Sequence, residues 1–364
     1  MNSKQLTQHL NNGVESIIEK IIKGSIFNLK EMLFLSKIKT SFEKAMEKRL
    51  ESEKQGIHIP PFLISSITQN CNLFCKGCYA RANKTCDNAG TKTLLTDAEW
   101  GVIFGQAACH GVSFILLAGG EPLLRRDVLL CAADTKDIIF PIITNGTLID
   151  NEYIKLFDNS RNLIPIISIE GGLESTDNRR GEGTYHILTS AIEAMKKRKI
   201  LYGVSVTVSK ENFEEVTSKP FAENLYMLGC KVVLFIEYVP MDNSTREIAL
   251  DDHDRENLDT KKTELGNLYK KILFISFPGD EKYMGGCLAA GRGFFHINAD
   301  GAVEPCPFSP YSDVNIKDGG LIGALNSPLF KKIMGNNILA AEHTGGCTLF
   351  AQEEKVKELI SNKS

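Results

Sequence analysis

The chain has 364 residues, a formal net charge of −3, and 43% hydrophobic and 24% charged residues. That balance lacks the basic excess that tracks nucleic acid, so no nucleic-acid partner is expected, and no stretch is apolar for long enough to span a bilayer. The first residues lack a charged segment followed by an apolar core. Ten cysteines without such a secretory signal imply a reducing cytoplasm, where thiols serve metals rather than disulfides.

In chain order, residues 1–57 read as a helical extension. Ile17, Ile18, Ile21 and Ile22, then Leu29, Met32, Leu33 and Phe34, fall at helical spacing among lysines and glutamates. The plain expectation is a helical collar packed on the main domain; the flanking lysines leave a membrane-surface or partner-binding helix open. His58-Ile-Pro-Pro61 breaks the helix and opens an alternating core over residues 58–245. The predicted strands are Phe62–Ile67, Ser113–Ala118, Ile138–Thr144, Leu163–Ile169, Leu201–Val208 and Val232–Val239. The predicted helices between them include Thr96–His110, with Thr96 and Glu99 as a capping box, one near Arg126–Ala133, Tyr185–Arg198 and Phe213–Leu228. Six such βα units imply a parallel sheet with right-handed crossovers, an α/β fold. Asp251–Lys271 reads as a charged surface helix. It lies in residues 246–364, a smaller unit whose remainder is rich in Gly, Pro and Cys.

The first predicted strand runs into Cys71-Asn-Leu-Phe-Cys75-Lys-Gly-Cys78. Three thiolates in so short a loop can converge on one metal group. A cubane iron–sulfur cluster has four iron corners, so three protein ligands leave one corner open for chemistry. Zinc and chance remain alternatives. Zinc sites usually supply two CxxC pairs or add histidines, and the nearest histidines here are His58 and His110. The second predicted strand ends in Gly119-Gly120-Glu121-Pro122. Its two glycines leave backbone that a ligand can approach, beside a carboxylate at the strand's C-terminal end.

CxxxCxxC after one strand and GGEP after the next together resemble the radical S-adenosylmethionine (SAM) superfamily. The resemblance implies a partial (β/α)6 TIM-like barrel with ligands at the C-terminal strand ends. It implies a 4Fe-4S cluster on Cys71, Cys75 and Cys78, whose open iron is chelated by the amino and carboxylate groups of SAM. Glu121 would accept a hydrogen bond from the SAM ammonium, with the Gly119 and Gly120 backbone close by. In related enzymes a Ser-x-Asp/Glu-Gly strand end precedes a loop ending in Arg-Gly. Here Ser168-Ile-Glu170-Gly171 precedes Asp177-Asn-Arg-Arg180-Gly181, which implies Ser168 and Glu170 near the ribose and Arg180 on the SAM carboxylate. Thr144 and Asn145, ending the third strand, are further pocket candidates, although Asn-Gly is also a common turn. Tyr79 is a candidate for the adenine, or for packing. The usual aromatic just before the third cysteine is Gly77 here, a departure that puts the adenine contact from this loop in doubt.

The C-terminal unit carries Cys287, Cys306 and Cys347. Cys287-x13-Gly301-x4-Cys306 resembles the opening of the SPASM and twitch extensions of the superfamily, with Phe294–Asn298 and Ala302–Pro305 forming a hairpin that joins the two cysteines. The dense cysteine series of a full SPASM domain is missing, so the shorter twitch type with one auxiliary iron–sulfur cluster is implied and its fourth iron ligand is unassigned. Buried structural cysteines or zinc are the alternatives. Cys109, Cys131 and Cys230 read as small hydrophobes; Cys86, in a polar loop, is a weaker candidate for the active site.

The implied reaction is reductive SAM cleavage to a 5′-deoxyadenosyl radical, with electrons from a flavodoxin- or ferredoxin-like donor. Hydrogen abstraction from a substrate follows, giving a net oxidation or modification helped by the auxiliary cluster. The substrate is a peptide or protein side chain, or a small metabolite such as a haem (tetrapyrrole) precursor. The first segment shows no strand pattern, so it does not resemble the leader-binding module of peptide-modifying relatives. Asp280, Glu281 and Tyr283, and Glu237 with Tyr238, are candidates for substrate binding or proton removal; a solvated turn is the bland reading of the first three. The second class of function is a non-catalytic electron-transfer or metal-binding protein on the same scaffold. GGEP and Arg180 speak against it, since a pure carrier needs neither.

Overall fold

A computed structural model describes residues 8, 10, 29–88, 93–241, 243–336, 338–340 and 346–361. Ile17, Ile18, Ile21 and Ile22 lie outside the described residues. Parallel strands β1 (Phe62–Thr68), β2 (Phe114–Gly119), β3 (Phe140–Thr144), β4 (Leu163–Ser168), β5 (Gly203–Val208), β6 (Val232–Glu237) and β7 (Leu273–Phe277) pair in sequence order. β7 adds a parallel strand to the six that alternation alone indicates. Its sequence, Leu-Phe-Ile-Ser-Phe, is short and lacks a clean period, and the pairing of Val232 with Leu273 through Ile236 with Phe277 is what makes it a strand.

The helices between these strands obey local signals. In Asp97–His110 the Thr96 hydroxyl accepts from Glu99 N at 3.2 Å while the Glu99 carboxylate accepts from Thr96 N at 2.7 Å, so both halves of the capping box form. The single helix expected over Phe213–Leu228 is instead two, Phe213–Val216 and Lys219–Leu228. Pro220 has no amide to continue the first ladder, and Ser218 caps the second helix by accepting from Phe221 N.

Partners across a parallel register point the same way. Leu63, Ile115, Leu117, Phe140 and Ile142 face outward into one core with Trp100, Phe104, Leu129, Phe157 and Leu188 of the surrounding helices. The opposite face carries Ile139, Ile164, Ile166 and Leu201, on which sit Ile38 and Phe42 of helix α1 (Leu29–Lys54). The Phe42 ring lies 4.9 Å from that of Phe114. Lys48 donates to the Ala108 carbonyl and Arg49 to Ser113 Oγ, each at 2.9 Å. The helix read from the sequence as a collar therefore lies under the N-terminal ends of the strands and fills the barrel floor.

The C-terminal residues are not a detached layer. The antiparallel pair β8 (His296–Ile297) and β9 (Val303–Glu304) adds to the edge of β1, where Ile64 pairs with His296, completing a nine-stranded sheet. The rings of Phe62, Phe294 and Phe277 follow one another at 5.0 and 5.9 Å, linking β1 to the end of β7. Among the described residues no helix is long and apolar enough to cross a membrane.

Candidate active site

The loop bearing Cys71, Cys75 and Cys78 leaves the C-terminal end of β1, and all three thiols are partly accessible. Gly119 and Gly120 hold this loop. Gly120 N donates to the Thr68 carbonyl at 2.9 Å and Glu121 N to the Asn70 carbonyl at 2.8 Å. A Cβ on Gly120 would lie 2.0 Å from the Asn70 oxygen, and one on Gly119, whose φ is +116°, 2.4 Å from the Thr68 oxygen. The side of these glycines that a side chain would occupy is thus filled by the backbone that leads into the cysteines.

Glu121 is buried and raised to about 7 by that burial. Its Oε1 accepts from Leu123 N at 3.0 Å and Thr144 Oγ1 at 2.6 Å, and its Oε2 from Asn145 N at 2.8 Å. A carboxylate has roughly four lone-pair positions, so one is left on Oε2, the number a single N–H donor needs. Asn145 Nδ2 reaches Asn72 Oδ1 at 2.8 Å and Cys71 Sγ at 3.9 Å. Thr144 is therefore wired to the carboxylate and Asn145 to both the carboxylate and the cysteine loop, which a plain Asn-Gly turn does not require.

On the far side, Glu170 Oε1 accepts from Arg179 Nη1 at 2.6 Å and Arg180 Nε at 2.9 Å, and its Oε2 from Thr207 N at 3.1 Å. Arg180 also points Nη1 at Cys75 Sγ, 3.9 Å away. Lys76 N donates to the Arg179 carbonyl at 2.9 Å, tying the cysteine loop to the end of the Leu173–Arg180 helix. Ser168 Oγ lies 3.1 Å from Ser205 Oγ on the inner face. Glu121, Asn145, Glu170 and Arg180 thus stand around one cysteine loop.

Two aromatic groups complete the surroundings. Gly77 has φ +65°, and a Cβ there would meet the Tyr238 ring at 2.8 Å. The space beside Gly77 is filled by Tyr238, following β6. Tyr79 packs edge-on against Phe308, ring centres 4.9 Å apart, and burial holds its phenol well above the ordinary value. Cys86 is buried, and its thiol hydrogen-bonds with Cys71. This contact leads the causes that lower the Cys71 pKa and raise that of Cys86. Cys230 is buried and Cys131 partly so, but Cys109 is exposed at the end of its helix, so the small-hydrophobe reading fails for it.

The second cysteine set gathers where the hairpin, the Gly279–Met284 turn and the Cys347 loop meet. Cys287 and Cys306 are buried. Desolvation pushes all three thiols up, and the thiolates raise one another: Cys306 and Cys347 act on Cys287, and Cys347 on Cys306. A cationic iron group reverses that penalty by binding the thiolates. Beside Cys306, the buried Ser309 hydroxyl has no protein partner, an orphaned donor that a sulfur-rich group would satisfy. Among the described residues no three Cys, His, Asp or Glu side chains converge as a single metal ion requires. A cubane takes each thiolate on a different iron and does not need that convergence.

The remaining candidates separate. Asp280 pairs with Lys262 and accepts from Ser276 N at 3.0 Å, and exposed Tyr283 bonds to Asp259. Both belong to a polar network on the helix Asp252–Leu268. Glu281, between them, is buried and raised to about 7 by that burial. Glu237 accepts from Arg255 Nε and from Gly346 N, each at 3.0 Å, and so anchors the residue before Cys347. Sequence reasoning missed one buried polar chain: His296 Nδ1 lies 2.7 Å from Glu304 Oε2, and Nε2 lies 2.7 Å from Ser66 Oγ. Ser66 pairs with Ala118, four residues after Phe114, and so shares the inner face. The alternation of His296 and Glu304 about the hairpin turn was the one signal that could have found it.

Residues 65–218 match the family described as the Radical SAM superfamily. The AdoMet-dependent heme synthase of Methanosarcina barkeri is 27% identical over 285 residues, 71% of this chain and 80% of that protein. The Fe-coproporphyrin III synthase of the same organism is 30% identical over 159 residues, 43% of this chain and only 39% of that protein. The crystal structure of Streptococcus suis SuiB bound to S-adenosylmethionine superposes with a TM-score of 0.65 at 17% identity, over 80% of this chain and 72% of SuiB, a likeness of fold.

Proposed function

Through residues 65–218 this chain belongs to the radical SAM superfamily, and from that premise we propose that it opens a C–H bond of a tetrapyrrole substrate, a haem precursor. A 4Fe-4S cluster and SAM held here would supply a 5′-deoxyadenosyl radical, with the electron coming from a flavodoxin- or ferredoxin-like donor. Cys71, Cys75 and Cys78 hold the cluster. Glu121 takes an N–H of the SAM amino group on its remaining lone pair, Thr144 and Asn145 hold that carboxylate in place, and Arg180 neutralises the SAM carboxylate while Glu170 fixes the guanidinium plane. Gly119 and Gly120 act by letting the cysteine loop pack against β2. Cys287, Cys306 and Cys347 hold an auxiliary iron–sulfur cluster in a twitch-like extension, and the Tyr79–Phe308 contact joins the two cysteine regions. A reducing compartment such as the cytoplasm suits these free thiols.

The reaction class rests on the buried Glu121 carboxylate with three fixed donors beside the three-cysteine loop. The substrate class is supported by two tetrapyrrole enzymes among the relatives, the heme synthase and the Fe-coproporphyrin III synthase. The inner face, with half-buried Leu116, Leu234, Ile236 and Phe277, also suits an apolar macrocycle. The test is anaerobic turnover of the reconstituted protein with SAM, dithionite and iron-coproporphyrin III. 5′-Deoxyadenosine together with a changed porphyrin mass is expected. No 5′-deoxyadenosine at all would remove the enzyme reading in favour of a carrier. 5′-Deoxyadenosine with unchanged porphyrin would remove the tetrapyrrole reading and bring the peptide class forward.

A further inference from the structure

The C-terminal cysteines number three, and a cubane has four irons. We propose that Glu281 is the fourth protein ligand of this centre, binding one iron through its carboxylate beside Cys287, Cys306 and Cys347. The inference rests on the reading of those cysteines as an iron–sulfur site.

Glu281 lies in the turn Gly279–Met284 that leads into Cys287, and only 4% of its surface is exposed. The turn folds the carboxylate back along its own chain: Gly286 N donates to the Glu281 carbonyl at 3.3 Å, and Leu288 N donates to Oε1 at 3.1 Å. The Cys287 thiol hydrogen-bonds to the same carboxylate, and Glu281 acts as a like charge on all three cysteines. Among the described residues no other acidic group is a leading influence on all three. A carboxylate buried among thiols is costly unless a cation answers it. Arg292 faces it, and its guanidinium also donates to the carbonyls of Met284, Gly285, Gly286 and Cys287 at 2.6–3.1 Å. Arg292 thus stiffens the loop that carries Cys287.

The surrounding contacts give the centre fixed walls. Cys287 N donates to the Leu339 carbonyl at 3.0 Å, Glu237 and Arg255 hold Gly346 before Cys347, and Ser309 offers its orphaned hydroxyl beside Cys306. Those walls are set by groups other than Glu281. Oε1 is held by Leu288 N, so the carboxylate is oriented before metal arrives, as second-shell bonds orient metal ligands elsewhere. An oxygen ligand at one corner makes that iron distinct from the other three.

The test uses the full-length chain with Cys71, Cys75 and Cys78 replaced by alanine, reconstituted anaerobically with 57Fe and sulfide. Only the C-terminal centre then contributes to the Mössbauer spectrum. One iron in four with oxygen-type parameters is expected. Glu281→Cys should convert that iron to the sulfur type. Glu281→Ala should lose about a quarter of the iron and give the paramagnetic signal of a three-iron cluster. Glu281→Gln keeps the volume and the Leu288 bond, so it separates ligation from folding; it should lose the distinct iron while the protein melts as its parent does. Identical spectra for the parent and all three Glu281 variants would overturn the proposal with the auxiliary cluster intact. A parent that binds no iron at all would instead overturn the auxiliary cluster itself.

Discussion

The tightest contact at the site sets a sharp test: Gly120→Ala. The added methyl would stand 2.0 Å from the Asn70 carbonyl oxygen, 2.5 Å from its carbon and 3.1 Å from its nitrogen. These are backbone atoms of the segment that leads into Cys71, so no side chain can swing away. Relief requires β2 and the cysteine loop to part, which breaks the bonds from Gly120 N to Thr68 and from Glu121 N to Asn70. Two net hydrogen bonds contribute about 2 kcal/mol, and overpacking a filled contact costs about 1–3 kcal/mol more. The expected destabilisation is therefore about 3–5 kcal/mol, concentrated at the cysteine loop. Iron and sulfide content, the visible absorption of the reconstituted protein and thermal melting read it out. The variant should lose most of the iron assigned to Cys71, Cys75 and Cys78 and keep that of the C-terminal centre. Gly105→Ala is the control, since a Cβ there meets nothing within 4 Å; in a helix interior that change should gain about 0.5–1 kcal/mol. If Gly120→Ala loads iron fully and melts with its parent, the packing argument is wrong.

Other expectations concern the same site. Replacing Cys71, Cys75 and Cys78 together with alanine should abolish SAM cleavage and leave iron at the C-terminal centre; cleavage at the parental rate would sink the assignment. Arg180→Lys keeps the charge but loses the fork held by Glu170. SAM affinity should fall about 10–100-fold for a lost charge-assisted pair of about 1.5–3 kcal/mol, measured by equilibrium binding under anaerobic conditions. Glu121 titrates near 7 because burial disfavours its charge. It is neutral below that pH and a carboxylate above, and the carboxylate is the stronger acceptor for an N–H of the amino group on the open iron. SAM affinity should therefore rise between pH 6 and 8, and Glu121→Gln should flatten that dependence; an unchanged profile in the variant would assign the titration to another group.

How much was legible beforehand follows from how local each signal is. Glu121 and Arg180 could be read because each sits in a short motif at a strand end, and both now stand around the cysteine loop. The two glycines have a packing use that the motif alone does not show: on the side a Cβ would occupy, the backbone of Thr68 and Asn70 fills the space. Asp280, Glu281 and Tyr283 looked equivalent in one polar turn. Folding sends the first and last to Lys262 and Asp259 on the surface and buries the middle one among thiols.

The sequence by itself determined the spacing-bound features: three cysteines within eight residues, the strand-end carboxylate, the alternating βα pattern and the Thr96 cap. Each depends on neighbours a few residues apart, where chain geometry leaves little freedom. Only the tertiary structure decided the rest. It filled the gap at Gly77 with Tyr238, 161 residues later in number. It set His296 against Ser66 across 230 positions and hung the C-terminal hairpin on β1. It also laid α1 beneath the barrel, with Phe42 against Phe114. Those partners are chosen by burial and register summed over the whole barrel, and no short window of the chain contains both members of any such pair.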